Sequence, residues 1–168
     1  MSSFDQALAE ADVLCRYRKL AAAASSEEEL KGVMEEAYEA EGLYVFGEFF
    51  DVARLANNAA LAAKLRLFAY GRYRDVEEAV KNGAAPLTEK QTKKLRELTL
   101  ASLVHDTRMK TIPFDVILKE LGISVIREME DIIIDAIYHS LLPSPSMTTF
   151  SLFLITFLLF TIIVVCSM

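Results

Sequence analysis

Along most of this chain apolar residues recur at intervals of three and four, the spacing of a helix face, and polar residues fill the positions between. Phe4 to about Ala24 is rich in Ala and Leu, which are strong helix formers. Ser26 and Glu29 have capping-box spacing, in which the Ser side chain takes the N3 amide and Glu29 reaches back to the cap amide. The helix they open runs to about Ala40, with Leu30, Val33, Met34 and Ala37 on one face, and Gly42 ends it. From Leu43 to Leu55 the spacing of Phe46, Phe49 and Phe50 favours a buried helix over a short strand. Asn57-Asn58 is a break, and Ala60–Tyr70 repeats the helical spacing with Leu61, Leu65, Phe68 and Ala69 before Gly71. Asp75 and Glu78 repeat the capping pattern for a short helix to about Lys81, and Asn82-Gly83 with Pro86 marks a loop. Thr88 and Gln91 form a further capping box. It opens a helix through about His105 with the stripe Leu95, Leu98, Ser102 and Leu103.

Beyond Lys110 the pattern changes. Ile112 precedes Pro113 and is therefore extended. Phe114–Leu121 is a short helix, Gly122-Ile123-Ser124 a tight turn, and Val125–His139 a longer helix with Ile126, Met129, Ile133, Ala136 and Ile137 facing inward. Helix, short turn with Gly, helix is the helix-turn-helix outline. The fold class is therefore mainly α, with stacked helices leading into a winged-helix element.

Charge sharpens the division. The 168 residues hold 18 Lys+Arg and 24 Asp+Glu, a net charge of -6. All of them lie at or before Asp135, and residues 141–168 carry none. The acidity, with a pI of about 5.0, argues against nucleic-acid binding by charge, which needs a basic stripe. The second helix of the helix-turn-helix offers Glu128, Glu130, Asp131 and Asp135 against Arg127 alone, a set that phosphates would repel. Three of the four basic residues Lys90, Lys93, Lys94 and Arg96 fall on the expected solvent side of their helix. Cys15 and Cys166 sit far apart in sequence, and reduced thiols fit them better than a disulfide or a metal site. Asp5, Glu10 and Asp12 interrupt any apolar run near Met1, so that stretch does not read as a signal peptide.

Three segments carry a family resemblance. They are Lys94-Leu95-Arg96-Glu97-Leu98-Thr99-Leu100-Ala101-Ser102-Leu103, Lys110-Thr111-Ile112-Pro113-Phe114-Asp115-Val116-Ile117-Leu118-Lys119-Glu120-Leu121, and Val125-Ile126-Arg127-Glu128-Met129-Glu130-Asp131-Ile132-Ile133-Ile134-Asp135-Ala136-Ile137-Tyr138. Together with Leu65-Arg66-Leu67-Phe68-Ala69-Tyr70-Gly71 and Tyr73, this order resembles the PCI-domain subunits of the COP-9 signalosome, over about residues 4 to 139. The PCI subunit M of translation initiation factor 3 is a related alternative. The resemblance implies a helical-repeat PCI domain leading into an incomplete winged helix, plus an apolar tail helix. It implies a non-catalytic scaffold that packs against other PCI subunits and supports removal of Nedd8 from cullins, touching the cullin-ligase machinery indirectly. No nucleic acid and no cofactor are expected, and the implied location is cytoplasm and nucleus. Residues 1–85 are then N-terminal repeats, 86–140 the rest of the PCI domain, 141–149 a linker and 150–168 the tail. Leu95, Arg96, Pro113, Leu118, Arg127, Glu128, Glu130 and Asp131 are the candidate subunit-interface residues. For Arg127, Glu128 and Asp131 a solvated face with i,i+4 pairing competes with a role in fixing the winged helix.

After Tyr138 the family pattern continues into wing strands and a closing helix, whereas here His139-Ser140-Leu141-Leu142-Pro143-Ser144-Pro145 follows. Phe150 to Met168 is uncharged, and as a helix it would be roughly 28 Å long, close to the roughly 30 Å of a bilayer's hydrocarbon. Phe150, Phe153, Phe157, Phe160 and Val165 would line such a span. A tail-anchored helical adaptor is one reading of it. The other is a segment from an alternative transcript, a retained intron or a gene-model product, and the abrupt switch inside a recognisable domain favours that one. No catalytic constellation is apparent: His105 and His139 have no metal-binding spacing, and no glycine-rich phosphate loop occurs.

Overall fold

The computed structural model describes residues 3–52, 58–106, 112–139 and 141, and among these no β-strand occurs. Among the described residues seven α-helices follow one another: α1 Ser3–Ala23, α2 Glu27–Glu39, α3 Ala59–Tyr70, α4 Val76–Lys81, α5 Glu89–Asp106, α6 Phe114–Leu121 and α7 Ile126–Tyr138. The mainly α reading holds.

Local chemistry sets most boundaries. Ser26 Oγ accepts from the Glu29 amide at 3.1 Å. Glu29 reaches back one residue further than the expected box, taking the Ser25 amide at 2.8 Å. Thr88 and Gln91 form the reciprocal box as read, both bonds at 3.3 Å. Asn58 caps α3 by accepting from the amides of Ala60 and Leu61. The expected Asp75–Glu78 cap does not form. Asp75 instead accepts from the Arg72 amide at 2.8 Å and closes a single 3-10 turn, Tyr73–Asp75, ahead of α4. Of the helix expected over Leu43–Leu55, the described residues 43–52 form an extended run followed by a 3-10 turn, Gly47–Asp51, and residues 53–55 lie outside the described residues. Leu43, Phe46 and Phe49 are buried there all the same, so their spacing reports burial more faithfully than helix length.

Two apolar cores form. The first gathers Leu30, Met34, Ala37 and Tyr38 of α2, Leu61, Leu65 and Phe68 of α3, Leu43, Phe46 and Phe49 between them, and Leu95 of α5. Its centre is aromatic: Tyr38 stacks on Phe68 with ring centroids 4.4 Å apart, and Phe46 meets Phe68 edge-on at 5.4 Å. The second core joins Leu100 of α5 to Ile117 and Leu121 of α6, Ile123 in the turn, and Met129, Ile132, Ile133 and Ala136 of α7. Helix α5 therefore serves both cores, with Leu95 in one and Leu100 in the other.

The expected faces need three corrections. Ile126 and Ile137 are 46% and 40% exposed, and Ile132 takes the inward place, because the packed face of α7 centres on Met129 and Ala136. Ser102 is exposed, and Thr99 and Leu100 are buried in its stead. Of Lys90, Lys93, Lys94 and Arg96, three of which are expected on the solvent side, only Lys90 and Lys93 are exposed; Lys94 is buried along with Leu95, and Arg96 is half-buried.

Candidate interaction surface

The helix-turn-helix is held to the body through α5. Arg96 Nε donates to the carbonyl of Leu121 at 3.0 Å, and a second guanidinium nitrogen reaches the Gly122 carbonyl at 3.4 Å. Its remaining nitrogen pairs with Glu128 at the start of α7. The guanidinium also lies over the Tyr73 ring, 4.7 Å from the centroid. One side chain thus fixes the end of α6, the turn and the start of α7 together. Gly122 fits this arrangement twice over. Its φ of +60° is the left-handed region, and a Cβ there would overlap Tyr73 Cε1. Tyr73 is in turn held by Thr99, whose Oγ accepts the Tyr73 amide at 2.9 Å and donates to the Leu95 carbonyl at 2.8 Å. Arg74 pairs with Glu120 at 3.0 Å, and Arg72 lies 3.7 Å from the same carboxylate.

The end of α7 is fixed at a polar seam between the cores. His139 Nδ1 lies 3.2 Å from Glu97 Oε2, and the Tyr44 hydroxyl donates to that oxygen at 3.3 Å. Burial raises the Glu97 pKa, and the neighbouring His139, Tyr44 and Lys93 hold the rise down. Lys94 donates its ammonium to the Ala40 carbonyl and lies over the rings of Tyr44 and Phe46. Burial pushes its pKa down to about 8, against the pull of the Glu97, Glu41 and Glu39 carboxylates. Lys93 bonds Asp135 at 2.6 Å, and that hydrogen bond raises its pKa despite partial desolvation.

The candidate interface residues fall into distinct places. Leu95 is fully buried in the first core, a packing position with no surface to offer. Arg96 is mostly covered and acts as the internal anchor just described. Leu118 is half-buried against the second core, and Pro113 is exposed at the start of α6. Arg127 lies on an exposed edge of α7, 3.5 Å from Glu130 and 3.9 Å from Asp131. On this edge Arg127 and Asp131 lie side by side on a solvated face, and Glu128 pairs with Arg96 of α5.

Sequence reasoning missed Tyr44, Glu97, Lys94 and His139 as a group. The signal is long-range, since Tyr44 and Glu97 meet only when α2 and α5 pack. Among the described residues no group of His, Cys, Asp and Glu could hold a metal ion, and Cys15 is an exposed free thiol. No described helix is long and apolar enough to cross a membrane, and Phe150, Phe153, Phe157, Phe160 and Val165 lie outside the described residues.

A stack of short helices running into a helix-turn-helix defines a mainly α, helical-repeat class of domain. A family model of the PCI domain matches residues 56–143, more than half of the chain, and the chain belongs to that family. Over 118 residues it is 38% identical to the COP9 signalosome complex subunit 7a of Pongo abelii, covering 67% of this chain and 42% of the relative. Over 123 residues it is 37% identical to the COP9 signalosome complex subunit 7 of Drosophila melanogaster, covering 67% and 41%. The Dictyostelium discoideum subunit 7 is 28% identical over 147 residues, covering 84% and 55%. The chain thus spans about two fifths to just over half of the length of these relatives.

Proposed function

We propose that this chain is a non-catalytic scaffold subunit of a COP9 signalosome. In this reading it supports removal of Nedd8 from cullins by packing its PCI helices against other PCI subunits, in cytoplasm and nucleus. The observation that carries the proposal is the 38% identity to a signalosome subunit 7a over two thirds of the chain. The relatives from fly and Dictyostelium share that name, which favours the signalosome over the initiation-factor alternative.

The geometry supplies a mechanism. Arg96 ties the helix-turn-helix to α5 while Leu95 beside it anchors α5 in the first core, and Pro113, Arg127, Glu128 and Asp131 form the edge that a neighbouring subunit would meet. Paired charges at a rim steer and select a partner more than they add affinity. Affinity-tagged full-length chain, expressed in cells, is expected to bring down the other signalosome subunits. The double charge reversal Arg127→Glu with Asp131→Arg keeps the intrahelical pair but inverts the edge, and is expected to lower the recovery several-fold at unchanged helical content. Recovery of small ribosomal subunits instead would favour the initiation factor, and recovery of neither would sink both.

A further inference from the structure

Helix α3 turns an apolar face to solvent. Its 12 residues include two charges, and one of these, Lys64, is buried and paired with Glu35. At 3.6 residues per turn Ala59, Ala63, Arg66 and Tyr70 lie within about 60° of one another, opposite Leu61 and Phe68 of the first core. A helix face that meets only water is normally polar along its length, and a helix apolar nearly all round is one that other structure covers. Arg66 is the single charge on this face, and Tyr70 at its end is 76% exposed. Tyr and Arg are among the residues that carry most of the binding energy at interfaces.

A groove of about 700 Å³ runs beside that face. Ala59, Ala63, Arg66 and Leu67 line one wall, and Glu78 and Ala79 of α4 line the other. The alanines leave room for a partner's larger side chains to sink between the two helices. Arg66 and Glu78 stand on opposite walls, and neither has an ion-pair partner among the described residues. Arg74 and Arg127, also on the surface, each pair within the chain. The form of an occupant follows from backbone chemistry. Both walls are helices, which bond their own peptide groups and offer no strand edge. An extended peptide lying there would leave its N–H and C=O groups against alanine methyls, whereas a helix satisfies its own.

We propose that the groove between α3 and α4 docks an amphipathic helix of another protein. Its ridge carries Leu, Ile or Met at i, i+3 or i+4, and i+7, with a carboxylate on one flank for Arg66 and a basic residue on the other for Glu78. The opposite charges on the two walls fix the direction in which that helix lies, since the reversed charges would repel. They also argue against lipid hydrocarbon, which would leave both charges unanswered. A concave groove cannot fill its own image across a two-fold axis, which argues against a second copy meeting it face to face. The groove belongs to other elements than the edge formed by α6 and α7, and its docking role stands whichever complex the chain joins.

Photocross-linking of the full chain in cells tests it. A photoreactive phenylalanine analogue replaces Tyr70, and in a control it replaces Val80, 43% exposed on the side of α4 away from the groove. An epitope-tagged copy without the analogue is co-expressed, so that links between copies are recognised by the tag. The expected result is a link from Tyr70 to a segment of another protein that carries the ridge and both flanking charges, roughly ten-fold or more above the yield from Val80. Arg66→Glu is expected to lower that yield by roughly ten-fold, and Arg66→Lys, which keeps the charge, to retain most of it. Links to a segment without that pattern, to lipid, to the tagged copy or to this chain itself would overturn the proposal. A yield equal to that from Val80, or unmoved by Arg66→Glu, would do the same. Helical content by circular dichroism is expected to match the parent in every variant. If the Tyr70 protein were unfolded, the analogue at Ala59, exposed at the other end of the groove, would replace it with the same outcomes.

Discussion

At Gly122 two separate constraints meet on one residue. The left-handed backbone costs an L side chain roughly 1–2 kcal/mol, and a Cβ would in addition press on the Tyr73 ring. Gly122→Ala is therefore expected to destabilise the chain by about 2–4 kcal/mol, measured as a lower urea midpoint at unchanged slope. Tyr73→Ala removes the ring but leaves the backbone strain, so in a double-mutant cycle the two changes couple and the double variant recovers part of the loss. Lys94 carries a different residue-scale prediction. Its pKa lies at about 8 folded, against 10.5 in the open chain. Between those values the unfolded chain binds more protons, so stability rises with pH across the window and is lost as pH falls through 8. The full difference is about 3 kcal/mol at 1.36 kcal/mol per unit. Urea unfolding between pH 7.5 and 9.5 is expected to show this rise in the parent and a flatter profile in Lys94→Met. That range stays below the point where the buried Tyr38 phenol, whose pKa is raised by burial and by Glu35, would act with the opposite sign. Lys94 also shows what a local pattern does not contain. It belongs to a basic run read mostly as solvent-facing, but its ammonium lies over the rings of Tyr44 and Phe46, residues contributed from far along the chain.

Among the elements, α5 is where the fold converges. Gln91 near its start donates to Glu35 of α2 at 2.7 Å, and Glu35 also holds both bonds of the buried Lys64 of α3 at 2.8 Å. Three helices share one carboxylate. Lys64 is 2% exposed, so removing that carboxylate strands an ammonium where water cannot reach it. Glu35→Ala is expected to cost about 3–5 kcal/mol, whereas Lys64→Met, which removes the buried charge itself, is expected to cost less than about 1.5 kcal/mol. Thermal unfolding of both variants side by side reads the asymmetry; equal losses would mean that water solvates Lys64. Element identity was largely legible beforehand because caps and three-four spacing are local: α2, α3, α5 and α6 begin and end within a residue or two of expectation. The failures are equally physical. Asp75 takes the Arg72 amide instead of capping α4, and the turn so closed brings the Tyr73 amide to Thr99. The isoleucine run of α7 offers too many apolar positions to fix a face, so packing against α5 and α6 chose Ile132 over Ile126 and Ile137.

Across the whole molecule the two cores differ in kind. The first is built around stacked aromatic rings, whereas the buried residues described in the second are aliphatic. Among the described residues they meet along α5 and across a seam that includes Tyr44, Arg72, Tyr73, Arg74, Glu97, Thr99 and His139, where polar contacts replace apolar ones. Polar contacts hold less per residue than apolar burial, because each also gives up its bonds to water. The second core should therefore open before the first. Met129 is fully buried at its centre, and Met129→Ala removes a side chain worth roughly 2–5 kcal/mol. Native-state hydrogen exchange is expected to show that loss in the amides of α6, α7 and the last turns of α5. The amides of α2 and α3 should keep the protection they have in the parent. Phe46→Ala, by contrast, is expected to lower protection in both halves, because α5 cannot hold Leu100 in place once Leu95 loses its bed. An equal loss everywhere from Met129→Ala would mean that the seam transmits as much as a continuous core. The helix-turn-helix would then be set by the body at every moment, and could not reorient as a unit when a neighbouring subunit docks on its outer edge.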